Sequence, residues 1–365
     1  MLIFIIVLVL FALAVWGFMQ SPKFGQTPRG ERLQRIQQSP HYQNGSFKNL
    51  SPTPDLTEGA SFFSVLWKFL FGKKVRRKPS VPVPHIKTDL HQLAPDADVL
   101  VWMGHSSYFI QTDGKKFLID PILNGTASPL PFGIQSFEGS NIYSAADIPA
   151  IDYLMITHDH WDHLDYRAMK QLQPKIGHII TGLGTGQHFE RWGFDMSRVT
   201  ELDWYETTSL EGGFQVVATP ARHFSGRGLA RNKALWTSFV LRTPTQQLFL
   251  GGDSGFDSHF EKIGEQFGGF DWAIVENGQY DANWKYIHLM PDEFLPAVKA
   301  LRAQRIIPVH SGKFAMANHP WDEPLENVTH RNKDMGLSLA TPMIGEPIYL
   351  KNDRQVFQAW WKTIS

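Results

Sequence analysis

Short apolar runs, separated by clusters of glycine, proline and polar residues, recur between residues 99 and 309 and set the expected architecture. Residues 99–103, 107–111 and 116–119 read as strands, with Asp113-Gly114 as the hairpin turn between the last two. Residues 151–156 are apolar apart from Asp152 and read as a buried strand, after which residues 164–173 take helical spacing. A strand is expected at 175–180 and a glycine-rich turn at 182–186, without the spacing of a nucleotide-binding loop. The second half repeats the layout, with strands at 214–219, 234–242, 247–250, 271–275 and 305–309 and a helix at 292–301. Strand runs with helices interspersed predict two sheets sandwiched between helices, an α/β fold of αββα type. Residues 124–145, rich in glycine, proline and serine, are expected to form a loop beside the ends of these strands.

The N-terminal pattern is different. Residues 2–19 are apolar and uncharged, long enough to cross most of a bilayer as a helix. A cleaved signal peptide competes with this reading, but no basic residue precedes the run. The one cleavage-like site, Ala12-Leu13-Ala14, lies inside it. The expectation is an uncleaved single-pass anchor over residues 1–20. Lys23, Arg29, Arg32 and Arg35 follow it, with Glu31 as the acid among them, a bias that puts the C-terminal side in the cytoplasm. Residues 21–95 read as linker. Within it, the aromatic and aliphatic stretch 62–71 runs into Lys73, Lys74, Arg76, Arg77 and Lys78. This stretch (62–78) is either a membrane-interfacial element or a helix packed on the domain with a solvated basic tail. The globular domain is expected over residues 96–365.

Composition narrows the chemistry. With 35 basic and 35 acidic residues there is no global field to recruit nucleic acid. The chain has no cysteine, which excludes disulfides, thiolate metal sites and a cysteine nucleophile. A transition metal would therefore be held by His, Asp or Glu, which favours zinc, manganese or iron.

One stretch supplies such donors. His158, Asp159, His160, Asp162, His163 and Asp165 crowd into eight residues, 158–165, just after the 151–156 strand. In an extended loop His158 and His160 share a face, while Asp162 and His163 follow at a bend and can serve a neighbouring position. Such a cluster is costly through desolvation and charge crowding unless a divalent metal compensates it. His223, Asp253 and His310 also sit just past apolar strand ends, so all of these side chains can converge on one edge of the sandwich.

H-x-H-x-D-H at 158–163, followed in order by His223, Asp253 and His310, resembles the metallo-β-lactamase superfamily. Trp102-Met103-Gly104-His105-Ser106-Ser107, Glu201-Leu202-Asp203-Trp204, Thr219-Pro220-Ala221-Arg222-His223, Gly252-Asp253-Ser254-Gly255 and His310-Ser311-Gly312-Lys313-Phe314-Ala315 are similar to its N-acyl-phosphatidylethanolamine-hydrolysing phospholipase D group. The resemblance implies a dinuclear zinc hydrolase. One ion would take His158, His160, His223 and Asp253; the other would take Asp162, His163, Asp253 and His310. Asp253 would bridge them, and Asp120 would orient the site without being a ligand. The implied reaction is attack of metal-bound hydroxide on a phospholipid phosphodiester, giving N-acylethanolamine and phosphatidic acid, with Asp253 and His288 as catalytic residues. His288 would meet the substrate's phosphate; its alternative is to cap the helix that follows Pro291. Trp161 and Tyr166 would line the mouth of the site.

The chain departs from the group at Phe224-Ser225-Gly226-Arg227-Gly228, and residues 283–288 match only in part. A lactonase or sugar-phosphate hydrolase on the same scaffold is the alternative, since fold and metal site alone do not fix substrate. The apolar N-terminal run and the apolar-basic stretch favour a lipid and a membrane as partners. A non-catalytic relative would have lost a ligand, and none is missing. A β-lactamase would commonly carry cysteine in place of Asp253, and a diiron redox enzyme glutamate in place of His160.

Overall fold

The computed structural model describes residues 1–72 and 75–364; Lys73 and Lys74 of the basic run lie outside the described residues. Helix α1 (Leu2–Met19) buries none of its residues, and only its last turn touches the rest of the chain, where Phe18 packs edge-on against Phe24. The chain then runs through α2 (Gly30–Gln38), the two-residue strands β1 (Tyr42–Gln43) and β2 (Ser46–Phe47), and α3 (Phe62–Phe71).

The first sheet pairs β3 (Val99–Trp102), β4 (Tyr108–Thr112), β5 (Lys115–Ile119), β6 (Ile151–Ile156), β7 (Ile176–Gly182) and β8 (Val199–Leu202) in that order. It is antiparallel as far as β5 and parallel beyond. Helices α4 (Tyr166–Leu172) and α5 (Gly186–Arg191) lie in its crossovers. The second sheet pairs β9 (Thr207–Ser209), β10 (Gln215–Thr219), β11 (Ser238–Arg242), β12 (Gln247–Leu250), β13 (Phe270–Glu276), β14 (Ala303–Val309) and β15 (Ser338–Leu339). It too changes from antiparallel to parallel, at β12. Helices α6 (His259–Phe267), α7 (Phe294–Ala300) and α8 (Glu323–Met335) follow β12, β13 and β14. Finally β16 (Pro347–Tyr349) returns to pair with β3.

Alternate residues of each strand serve two cores, as the period of the pleat requires. Leu100, Tyr108, Ile119 and Met155 face Ala218, Phe239, Leu250 and Ile274 between the sheets. Val101, Phe109, Leu118 and Leu154 face Ala168, Met169 and Leu172 of α4. Val240, Phe249 and Ala273 face Ile263 of α6 and Val298 of α7. The expected αββα order is therefore the observed one.

Some boundaries move for local reasons. The helix after the histidine-rich stretch starts at Tyr166, not Leu164, because Asp165 caps it by accepting Arg167 N at 2.9 Å and Ala168 N at 3.2 Å. Pro174 turns its far end into a single 3₁₀ turn at Gln173–Lys175.

The larger difference lies in the stretch read as linker. Ile36 of α2 and Phe47 of β2 are fully buried in a cluster with Leu183, Trp204, Leu235 and Trp236. Arg32 pairs with Glu190 and, at 2.7 Å, with Glu201; Arg35 meets Glu206 at 2.7 Å. A polar helix that buries one isoleucine has almost no apolar periodicity, so its docking rests on partners far away in sequence. Helix α3, in contrast, is capped by Ser61 and Ser64 but leaves Phe62, Phe63, Leu66, Trp67, Leu70 and Phe71 exposed. The packed-helix alternative is not what the structure adopts.

Truncating Phe47 to alanine tests whether the arm belongs to the cooperative fold. Removing a fully buried phenylalanine is expected to cost about 3–5 kcal/mol. Denaturant unfolding of the detergent-solubilised chain reads this as a lower midpoint. An unchanged midpoint would mean that the arm is merely laid on the domain.

Candidate metal centre

The candidate ligands all follow the C-terminal ends of strands, where the ladder stops and the backbone is free to turn. Asp120, just past β5, is held at φ 42 in the left-handed region, as are His105 (φ 54) and His310 (φ 65). Such conformations are costly for non-glycine residues and persist only where the surroundings enforce them. Here His105 and the His310 loop lock each other: His310 N donates to His105 O at 2.9 Å, and His105 N to Ser311 O at 3.0 Å.

Asp120 orients the histidine-rich loop. One oxygen accepts Thr157 N at 2.9 Å; the other accepts Thr157 Oγ1 at 2.6 Å and His163 Nδ1 at 2.8 Å. With Nδ1 fixed, His163 Nε2 points to Asp253 Oδ1 at 3.2 Å and Asp162 Oδ2 at 3.4 Å. His158, His160, His223 and Asp253 each bring one donor atom within 4.8 Å of the others. His160 Nδ1 lies 2.9 Å from His158 Nε2 and 3.2 Å from His223 Nε2. A second group unites Asp162, His163 and His310 with His105. Asp253 reaches it through Oδ1, which is also 3.1 Å from His310 Nδ1.

The donor set fits divalent metal. His163 Nε2, His310 Nε2 and Asp253 Oδ1 are buried without a hydrogen-bond partner among the described residues. Unmet buried donors are costly, and lone pairs of nitrogen and oxygen converging this closely suit a cation of the zinc, manganese or iron kind. The carboxylates also make the site one that attracts positive charge. Burial disfavours the His163 imidazolium, yet Asp253, Asp162 and Asp120 carry its pKa well above the ordinary range. Burial, then His163 and His160, push His158 well below it.

His288 is held differently. Its Nδ1 donates to Glu276 Oε2 at 2.8 Å, and Glu276 Oε1 accepts Ser254 N and Leu289 N, each at 3.0 Å. These N–H donors make Glu276 the charged acceptor of the pair. Burial opposes charge on His288, but the Glu276 carboxylate outweighs it and raises the pKa to about 9. His288 is thus tied to a carboxylate and is not the helix cap of the alternative reading.

A cavity of about 410 Å³ opens over these groups. His160, Asp162, His223, Asp253, His288 and His310 lie in its lining, with Leu56, Phe62, Phe224, Trp284, Ile287 and Met316 as apolar wall. Trp161 and Tyr166, expected at its mouth, do not line it. They border a smaller recess with Lys23 and Pro129, because Trp161 stacks under Arg227 at 4.0 Å and Tyr166 packs on Trp192. His105 and Glu276 escaped the sequence reading. A glutamate closing an apolar strand at β13 was the one local signal for Glu276; His105 lay in a quoted motif with no role attached.

Comparison with known proteins agrees with the geometry. Residues 115–311 match the beta-lactamase superfamily domain. An uncharacterised protein of Mycobacterium tuberculosis is 32% identical over 332 residues, covering 89% of this chain and 88% of that one. N-acyl-phosphatidylethanolamine-hydrolyzing phospholipase D 1 of Caenorhabditis elegans is 32% identical over 275 residues, covering 69% and 76%. Among solved structures, Igni18, a metallo hydrolase of the archaeon Ignicoccus hospitalis, shares the fold at TM-score 0.53 and 19% identity, covering 69% and 97%. The strands, the ligand order and these matches agree, and the chain belongs to the metallo-β-lactamase superfamily as a metal-dependent hydrolase that resembles the N-acyl-phosphatidylethanolamine-hydrolysing phospholipase D group.

Proposed function

We propose that the protein is a membrane-anchored dinuclear hydrolase that cleaves a phospholipid phosphodiester of the N-acyl-phosphatidylethanolamine kind, releasing phosphatidic acid. The observation that carries this reading is the pairing of one cavity's contents: two donor groups meeting at Asp253 on its floor, and apolar walls above. A phosphate with greasy substituents has complementary chemistry. The printed name of the Caenorhabditis elegans relative supports the same substrate class.

His158, His160, His223 and Asp253 would hold one ion, and Asp162, His163, Asp253 and His310 the other, with zinc as the expected metal. When bound, such ions acidify water and offset phosphate charge. Asp120 acts on the ring of His163, fixing which nitrogen it presents. His288, with Nδ1 committed to Glu276, has Nε2 left to donate to a phosphate oxygen as charge develops there. Phe62, Phe224 and Trp284 exclude water from the acyl side of the cavity.

Helix α1 supports the anchor: 18 residues, none of them buried, reach about 27 Å at 1.5 Å each, close to a hydrocarbon core. The exposed aromatic face of α3 supports an interfacial contact beside the cavity, since Phe62 belongs to both. The basic residues after α1 favour a cytoplasmic domain. Their part belongs to insertion, because Arg32 and Arg35 are afterwards engaged by Glu190, Glu201 and Glu206.

Metal analysis of the purified chain is expected to find two divalent ions, and fewer in Asp253→Ala. No metal, or content unchanged in the variant, would overturn the bridging assignment. In mixed micelles, mass spectrometry is expected to identify phosphatidic acid and N-acylethanolamine as products. Asp253→Asn is expected to lose several orders of magnitude in turnover, and His288→Ala about ten- to a thousandfold. Wild-type rates in both variants, or cleavage of lactones or sugar phosphates with no phospholipid turnover, would sink the reading. The chain is expected in the membrane fraction, with a periplasm-only reporter silent at its C-terminus. An active reporter would reverse the orientation, and a soluble full-length chain would remove the anchor.

A further inference from the structure

Three segments distant in sequence meet on the far side of the histidine-rich loop from the cavity. Arg227, from the loop that begins at His223, is 3% exposed and donates through Nη1 to Asp159 O at 2.9 Å and Leu164 O at 2.7 Å. Its Nε donates to Lys23 O at 3.0 Å, and its guanidinium lies over the Trp161 ring at 4.0 Å. The Asp159 side chain is bound as well. Oδ1 accepts Gly226 N at 2.7 Å, and Oδ2 accepts His188 Nε2 at 2.9 Å.

The third segment is the one that leaves α1. Gln26 N donates to His188 Nδ1 at 3.3 Å, which makes Nε2 the protonated nitrogen facing Asp159. Phe24 packs edge-on against Trp161 at 5.2 Å, and Trp192 Nε1 donates to Pro22 O at 2.7 Å. Gly25 has φ +67, and a Cβ there would sit 1.8 Å from His188 Nδ1. Only glycine lets the chain pass so close to the ring. Asp159 and Trp161 alternate with His158, His160 and Asp162, so what holds the former fixes the direction of the latter.

We propose that Arg227 is a positioning residue of the metal centre and that residues 20–26 form part of the same support. The stretch leaving the apolar helix would then help to set how firmly the chain holds its ions. This rests on the ligand assignment proposed above. Arg227 makes three carbonyl bonds and a ring stack with one planar group, a combination that lysine cannot reproduce. Supporting residues of this kind commonly change metal affinity ten- to a hundredfold.

The test is zinc release from the full detergent-solubilised chain to a chromogenic chelator, with near-ultraviolet circular dichroism of the zinc-free protein to check folding. Arg227→Met is expected to release zinc at least tenfold faster, and Arg227→Lys to lie between it and wild type. Gly25→Ala, which leaves every candidate ligand and Arg227 in place, is expected to accelerate release several-fold through His188 and Asp159. Arg32→Ala loosens the arm at Glu190 and Glu201, away from this contact, and is expected to release zinc like wild type. If Arg227→Met and Gly25→Ala both release zinc at the wild-type rate, the proposal fails while the ligand assignment stands. If Arg32→Ala speeds release as much as Gly25→Ala, the effect is general loosening and the proposal fails. A wild-type chain that takes up no zinc overturns the ligand assignment and this proposal with it.

Discussion

Asp253 is a buried carboxylate whose two oxygens face four imidazoles, Oδ1 towards His163 and His310 and Oδ2 towards His158 and His223. Burial alone would neutralise such an acid, but the imidazoles hold its pKa well below the ordinary range. A charge in that position must be met from several directions at once, and these directions come from three strand ends. The histidine-rich loop follows β6, His223 follows β10, and His310 follows β14. The second sheet supplies its share of this convergence because β10 and β12 both run antiparallel to β11, and β12, β13 and β14 run parallel, so β10, β12 and β14 end at one edge.

The same constraint explains which parts of the centre could be read from the sequence. Ligands on one short loop, or immediately after an apolar strand, are legible because strand periodicity fixes where the loop begins. The histidine-rich stretch, His223, Asp253 and His310 are of this kind, and the structure brings them together. Groups that matter through tertiary contact were harder to see. Glu276 ends β13 as the pattern allows, but its importance comes from His288 twelve residues later and from two backbone donors. His105 becomes part of the cluster only because β3 lies beside the His310 loop. Trp161 and Tyr166 failed in the opposite direction. Adjacency to the ligands suggested the cavity, but alternation along the loop turns Trp161 to the other side, under Arg227.

The N-terminal arm shows a further limit of local pattern. Hydrophobic content marks α1 and α3 as unusual, and both remain exposed. Helix α2 is polar and reads as linker, yet it is docked, since a single isoleucine and two arginines suffice when the receiving surface offers Trp204, Glu201 and Glu206. Apolar pattern measures what a segment must hide, not what a distant surface can hold.

The arm also gives the centre a boundary that the sandwich lacks. Beyond β2 it crosses the cavity rim, where Thr57 N donates to Asn283 O at 2.7 Å and Arg231 holds Asp55 with Nη1–Oδ2 at 2.8 Å. It then continues into α3, whose aromatic side chains face outward. One stretch of chain therefore touches the back of the histidine-rich loop at Gly25 and Gln26 and the front of the cavity at Asp55 and Phe62. Its two ends are the most apolar exposed elements among the described residues. If both rest in lipid, a substrate drawn from the bilayer would reach the cavity along α3 and need not cross water. The Asp55–Arg231 pair stands at that rim, too exposed to add much stability. Under the proposed function its consequence is for access, because an anionic headgroup meeting Arg231 would compete with Asp55 for the same guanidinium.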